Sequence, residues 1–262
     1  MSTLRPVDRL LEHLQIARET PSLDYLNRLV AAHQRRVPFE TLTKLIDYEP
    51  GSRRGDFMPS MTEYVDRIVT RGAGGLCWTL ARGFQALLDD LAFDASVMVM
   101  QPGHCCVRVE LPEGPFYADV GYAAPLFQAY PLFTSFSIDT HREAFEYRVS
   151  DEGILVTRRP GPTKTLDPTP RRIEELTALI AAANDWSAPQ SFLHRLSYGR
   201  YVGDVYTSLR EGLLTRHLSS GAVQTVVSHA DAPSVLHDVF GADPLLYAEA
   251  AEVLRRHRPG HS

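Results

Sequence analysis

Three cysteines in 262 residues are too few for a disulfide framework. That excludes the small stapled folds of oxidising compartments and directs attention to a reducing compartment and a reactive thiol. No apolar run reaches the roughly 18 residues that a membrane span needs, and Met1-Ser2-Thr3-Leu4-Arg5-Pro6 turns polar too early for a signal peptide. A cytoplasmic protein without a membrane partner is expected. Basic excess is missing too: 27 Lys and Arg are interspersed with 32 Asp and Glu, for a formal charge of −5. No contiguous positive surface is offered to a nucleic-acid backbone, so nucleic acid is not an expected partner. Internal repeats and low-complexity tracts are also absent. What is present is a globular composition, 44% hydrophobic, sufficient for one large domain or two to three small ones.

The chain changes character along its length. Val7, Leu10, Leu11 and Leu14, then Leu23, Leu26, Leu29 and Val30, recur at helical spacing. Ser60 with Glu63 has capping-box spacing and predicts a short helix carrying Tyr64, Val65 and Ile68, stopped by Arg71 and the glycines after it. A further helix starts near Cys77, with Leu80, Phe84, Leu87, Leu88 and Leu91 on its apolar face. From about residue 95 strands take over: Ser96 to Met100, Cys105 to Leu111, Phe116 to Val120, Ala144 to Val149 and Ile154 to Thr157. Four prolines between Pro160 and Pro170 predict a boundary loop, after which Thr169-Pro170 opens a helix. Strands at 202–209, 213–218 and 223–227 and helices at 231–240 and 243–257 follow. The pattern predicts an α+β protein in three segments: 1–94 helical, 95–165 antiparallel β, and 166–262 mixed α/β.

Cys77 is the thiol that stands out. Arg71-Gly72-Ala73-Gly74-Gly75-Leu76 places glycines directly before it at a helix start. Unpaired backbone N–H groups and the positive end of the helix dipole favour a thiolate there and could hold an oxyanion. A cysteine nucleophile needs a base. His104, in the turn Gln101-Pro102-Gly103-His104 at the start of a strand, is the candidate. The hairpin turning at 112–115 brings Asp119 towards His104, where a carboxylate would orient the imidazole. Asp119 lies in the apolar stretch Phe116-Tyr117-Ala118-Asp119-Val120, a costly place for an unpaired charge. Cys106 shares strand parity with His104 and is a candidate for lining the same cleft, beside its plainer use as a packing residue. Adjacent strand residues point to opposite faces, so His104, Cys105 and Cys106 do not form a metal site, and no metal is expected. The glycine run lacks the lysine and hydroxyl of a phosphate loop.

These residues resemble the arylamine N-acetyltransferase family, on Pro38-Phe39-Glu40, the arginine-glycine turn from Arg71 to Cys77, His104, and Asp119-Val120-Gly121. The resemblance extends along essentially the whole chain. It implies a helical N-terminal domain, a β-barrel-like middle domain and a C-terminal α/β lid, with a cysteine-protease-like triad of Cys77, His104 and Asp119. It implies ping-pong acyl transfer: Cys77 takes an acyl group from a thioester and an amine accepts it. No tightly bound cofactor is implied; the cosubstrate is an acyl coenzyme A or an acyl carrier protein thioester, and the partners are small-molecule thioesters and amines. Phe39 and Trp78 are expected at the substrate, and Glu40 and Arg71 as a supporting pair near the site. The turn is longer than the family's motif, Trp78-Thr79 replaces the usual Phe-Glu, and the interval from Cys77 to His104 is short. The nucleophile chemistry is carried over and the identity of the acceptor is not. An amide synthase or a hydrolase using the same three residues, and a non-catalytic homologue, remain alternatives.

Overall fold

The apolar stripes of the sequence become buried helix faces in the computed structural model, which describes residues 4–188 and 191–257; Met1 to Thr3 of the polar N-terminus lie outside the described residues. α1 (Pro6–Leu14) buries Val7, Leu10, Leu11 and Leu14, and α2 (Leu23–Arg36) buries Leu26, Leu29 and Val30. A two-residue strand, β1 (Phe39–Glu40), and a short helix, α3 (Leu42–Asp47), follow. Neither is long enough to leave a periodic signal. α4 (Met61–Arg71) starts as its capping box predicts, Glu63 N–H donating to Ser60 Oγ and Ser60 N–H donating to the Glu63 carboxylate. It ends at Gly72 in the left-handed region. α5 (Cys77–Asp90) buries Leu80, Phe84, Leu87 and Leu88, as its spacing requires.

The strand run is longer than the sequence pattern suggests. It comprises β2 (Asp94–Gln101), β3 (His104–Leu111), β4 (Gly114–Ala118), β5 (Tyr130–Pro131), β6 (Phe136–Asp139), β7 (Ala144–Ser150), β8 (Gly153–Arg159) and β9 (Thr163–Arg171). All eight form one antiparallel sheet, in the order β5-β4-β3-β2-β9-β8-β7-β6, curled as a half-barrel. The predicted proline loop and the helix from Thr169-Pro170 are replaced by β9. Its pairing with β8 covers Thr163 to Leu166, while pairing with β2 continues to Arg171 across a bulge between Val97 and Val99. Pro168 and Pro170 therefore lie past the end of β8 and beside the bulge, where a missing N–H costs no ladder bond. Helix begins only afterwards, as a 3-10 turn Ile173–Leu176 running into α6 (Thr177–Ala183).

β10 (Ser197–Val202), β11 (Val205–Arg210), β12 (Leu213–Leu218) and β13 (Gly221–Val226) form a second antiparallel sheet, with β1 on the edge beside β10. The strand expected over 202–209 is β11, which starts only at Val205; the residues before it turn at Gly203, at positive φ, into β10, a strand the sequence pattern did not predict. α7 (Ala232–Phe240) and α8 (Pro244–His257) close the chain.

The chain divides into two compact units, Met1–Gln34 with Cys77–Leu176, and Arg35–Leu76 with Thr177–Ser262. The segment read as 1–94 is thus shared between them, while 95–165 falls wholly in the first. In the first unit, α5 packs on β2 and β3, and the opposite face of the sheet closes over Met98, Met100, Cys106, Tyr117, Phe145, Tyr147, Val156 and Leu166. In the second, Leu42, Leu45, Tyr198, Leu236, Phe240, Leu246 and Leu254 belong to one core. Among the described residues no helix is long and apolar enough to cross a membrane.

Candidate active site

Cys77, His104 and Asp119 all belong to the first unit, and two rules of local structure bring them together. Cys77 is the first residue of α5, so the opening N–H groups of that helix have no intrahelical partner and lie beside its thiol. His104 is the first residue of β3, pairing with Met100 across the hairpin. Asp119 lies just past the end of β4 rather than within the strand, one residue after Ala118, which pairs with Val107. Leaving the ladder frees its carboxylate to turn towards the start of β3.

The contacts are specific. His104 Nε2 and Asp119 Oδ2 are 2.8 Å apart, both side chains almost fully buried. Asp119 Oδ2 also accepts from Tyr117 Oη at 2.7 Å, and Oδ1 accepts from the Gly121 N–H at 2.8 Å. Gln34 Nε2 donates to the Asp119 backbone carbonyl at 2.7 Å. With Nε2 engaged by Asp119, the other ring nitrogen, Nδ1, remains for a second partner, and Cys77 is near enough to help raise the His104 pKa. The thiol also lies 3.9 Å from the Gly103 carbonyl. Gly121 fits closely against the nucleophile: a Cβ there would stand 2.9 Å from both Cα and Cβ of Cys77 and 2.9 Å from the Cys105 carbonyl. The Asp-Val-Gly sequence therefore has two physical jobs, a carboxylate that caps its own turn and a bare backbone that lets Cys77 approach.

Electrostatics sort the three thiols. Cys77 is partly accessible, whereas Cys105 and Cys106 are buried, and burial pushes both of their thiols well above the usual cysteine range. Burial alone would lower the His104 pKa, but the Asp119 carboxylate and Cys77 outweigh it and raise the group to about 9. An imidazolium that persists at neutral pH beside a thiol favours the thiolate.

The other candidates are placed as follows. Cys106 is fully buried within the apolar cluster beside Met98, so it does not line an accessible cleft. It keeps the expected parity with His104, but on the filled side of the sheet. Trp78 is buried on α5, its indole Nε1 without a hydrogen-bond partner among the described residues. Phe39, Glu40 and Arg71 belong to the second unit. Phe39 pairs with Gly199 and bridges Gly75. Glu40 and Arg71 do not pair with each other. The fully buried Glu40 carboxylate accepts from Thr43 N at 2.9 Å, Thr43 Oγ1 at 2.6 Å and Gly74 N at 3.1 Å. Arg71 instead donates to Asp243 at 2.7 Å and Glu249 at 3.0 Å, tying the end of α4 to α8. A carboxylate already saturated by nearby donors has no need of a guanidinium. Among the described residues no group of three or more His, Cys, Asp or Glu could hold a metal ion.

Sequence reasoning passed over Gln34, Tyr117 and Tyr122 as site residues. Tyr117 was within reach, since it precedes Asp119 by two positions and so shares its face of the strand. Gln34 left no signal, because only the packing of α2 carries it to Asp119.

The first unit thus combines a curled antiparallel sheet and helices with a partly exposed cysteine at a helix start and a buried histidine–aspartate pair. The model of the N-acetyltransferase family matches residues 22–243, and the chain belongs to that family, the arylamine N-acetyltransferases. A comparison with curated protein sequences finds no match. Among solved structures the chain is similar to the arylamine N-acetyltransferase of Salmonella typhimurium, with TM-score 0.79 and 19% identity over 97% of this chain and 100% of that one. The Mycobacterium marinum arylamine N-acetyltransferase in complex with CoA gives TM-score 0.77 and 19% identity over 96% and 99%. A Bacillus cereus arylamine N-acetyltransferase with a Cys-His-Glu catalytic triad gives 0.75 and 16% over 92% and 100%. At these identities the structural likeness establishes the fold.

Proposed function

We propose that the protein transfers an acyl group from a thioester to an amine through an acyl-enzyme on Cys77. The partly accessible Cys77 at the start of α5, next to the buried His104 whose Nε2 lies 2.8 Å from Asp119, is the observation that carries this. The family supports acyl transfer as the reaction class, and the CoA complex of the Mycobacterium marinum enzyme supports acyl coenzyme A as a donor. An acyl carrier protein thioester would present the same reacting atoms.

In the first half-reaction the Cys77 thiolate attacks the thioester carbonyl carbon. The developing oxyanion is met by N–H groups at the start of α5, which have no partner within the helix. Collapse breaks the bond to the departing sulfur, which takes the proton held on His104, and leaves the acyl group on Cys77. In the second half, neutral His104 accepts a proton from the amine as its nitrogen attacks the acyl carbon. Cys77 leaves as thiolate and the imidazolium is restored. Asp119 holds the ring orientation through both halves.

The test is intact-mass analysis of the whole chain mixed with acetyl coenzyme A and with longer acyl thioesters of N-acetylcysteamine. A single acyl adduct should form, be absent from Cys77→Ala, and decay faster when an aromatic amine is added, with the amide as product. No adduct from any thioester, together with iodoacetamide alkylation no faster than for a free thiol, would refute the reading. Decay indifferent to amines would instead assign hydrolysis.

A further inference from the structure

One contact at the site is used by none of these steps. The Tyr122 ring lies flat on the His104 imidazole, centroids 3.7 Å apart and planes within 8°. The Arg158 guanidinium lies over the same tyrosine, 4.5 Å from its centroid. A stacked imidazole covers one face of a phenol ring, which leaves the other to Arg158. Tyr122 Oη is buried and finds no hydrogen-bond partner among the described residues. A buried hydroxyl without a partner is a cost, so the side chain is held here for its ring.

We propose that Tyr122 is a positioning residue, its aromatic face steadying the His104 imidazolium that pairs with the Cys77 thiolate, and that Arg158 limits this from the opposite face. The proposal rests on the reading of Cys77 as an activated nucleophile. An aromatic face attracts a cation lying on it through the ring quadrupole, most strongly where water is excluded, and His104 is buried. Stacking also restricts rotation of the ring about its outer bond, which keeps Nε2 on Asp119. Arg158 draws on the same π electrons and repels a second cation. Its charge is met by Glu143, which Arg142 also contacts, and Arg142 donates to the Ala123 carbonyl. Other groups face His104 as well. Asp119 and Cys77 favour its charged form, and Tyr117 shares Asp119. Cys105 and Cys106 are neutral neighbours on its own strand, and Lys164 on β9 bonds the Pro102 carbonyl in the turn before it. Each of these stays in place when residue 122 is changed.

The experiment follows the rate of iodoacetamide alkylation of Cys77 against pH, read by intact mass on the full chain. Tyr122→Phe should superimpose on wild type, because the ring is kept. Tyr122→Leu should move the rising limb up by roughly half to one pH unit, making alkylation about three- to ten-fold slower below the limb. Arg158→Met should move it the other way. A Tyr122→Leu limb coincident with wild type, or a Tyr122→Phe limb displaced as far as the Leu one, overturns the proposal; an unmoved Arg158→Met limb overturns the part given to Arg158. A wild-type thiol that alkylates like a free one would refute the proposed function itself, so the two failures are told apart. Should Tyr122→Leu not fold, the His104 ring protons decide by NMR in wild type and Tyr122→Phe. Both should show upfield ring-current shifts, and shifts at random-coil positions overturn the stack.

Discussion

Gly121→Ala adds one methyl group at the tightest point of the site. Its Cβ would stand 2.9 Å from Cα and Cβ of Cys77 and from the carbonyl oxygen of Cys105, whereas ordinary contact starts at 3.4 Å. Relief requires about 0.5 Å of separation between rigid groups, since two of the three atoms are backbone and the third is the Cβ of the nucleophile. Each way of yielding harms the site. If Cys77 moves, the thiol leaves His104. If Gly121 moves, it pulls on Asp119 through the 2.8 Å bond to Oδ1, and Asp119 carries the imidazole with it. Overpacking of this kind costs roughly 1–3 kcal/mol of stability, and displacing reacting groups by as much as ~1 Å costs on the order of 100-fold in rate. The expected outcome is a folded protein, destabilised by a few degrees in a thermal melt, whose Cys77 alkylates at neutral pH at least about ten-fold more slowly than wild type. Thermal melts and stopped alkylation time courses on the same preparation separate the two effects. An alanine variant with wild-type alkylation and wild-type melting would refute the argument that the bare backbone at 121 is what admits the nucleophile.

Asp119→Asn replaces one carboxylate oxygen by an NH2 group, which cannot accept, so either the His104 and Tyr117 contacts on Oδ2 or the Gly121 contact on Oδ1 is lost. Acylation by acetyl coenzyme A should fall by about two orders of magnitude or more, and a burst rate near wild type would remove Asp119 from the proposed mechanism. Thermal stability should pass through a maximum near pH 6.5, for two opposite reasons. Burial holds His33 down to about 3; the unfolded chain takes up that proton near pH 6.5, so stability present above that pH is lost as pH falls towards 3. His104 is raised to about 9, so its contribution is complete below pH 6.5 and is lost as pH rises through 9. His33→Gln should flatten the acid side, measured as melting temperature against pH, and leave the alkaline side unchanged. An acid limb as steep in the variant as in wild type would show that His33 is not its source.

The local grammar of this chain was legible without coordinates. Ser60 and Glu63 announce the start of α4, the apolar stripe behind Cys77 sets the length of α5, and the hairpin around residues 112–115 brings Asp119 back towards His104. Each of these depends on residues near one another in sequence, where helix period, strand alternation and turn chemistry act directly. Cys77 as the reactive thiol could be argued the same way, because the start of a helix is a local fact. The proline-rich stretch could not be read correctly, since whether Pro168 and Pro170 break a strand depends on where β8 ends and where β2 bulges. The partner of Arg71 was misplaced for another reason: the family resemblance offered Glu40, while the fold supplies Asp243 and Glu249. Gln34 on Asp119, Tyr122 flat on His104, Arg158 behind Tyr122 and the 2.9 Å approach of Gly121 to Cys77 are all products of packing between distant segments. Sequence determines which side chains can do this chemistry, because reactivity belongs to residue type and local backbone. Tertiary structure decides which of them meet, because close packing is set by the whole set of buried contacts and by no single stretch of chain.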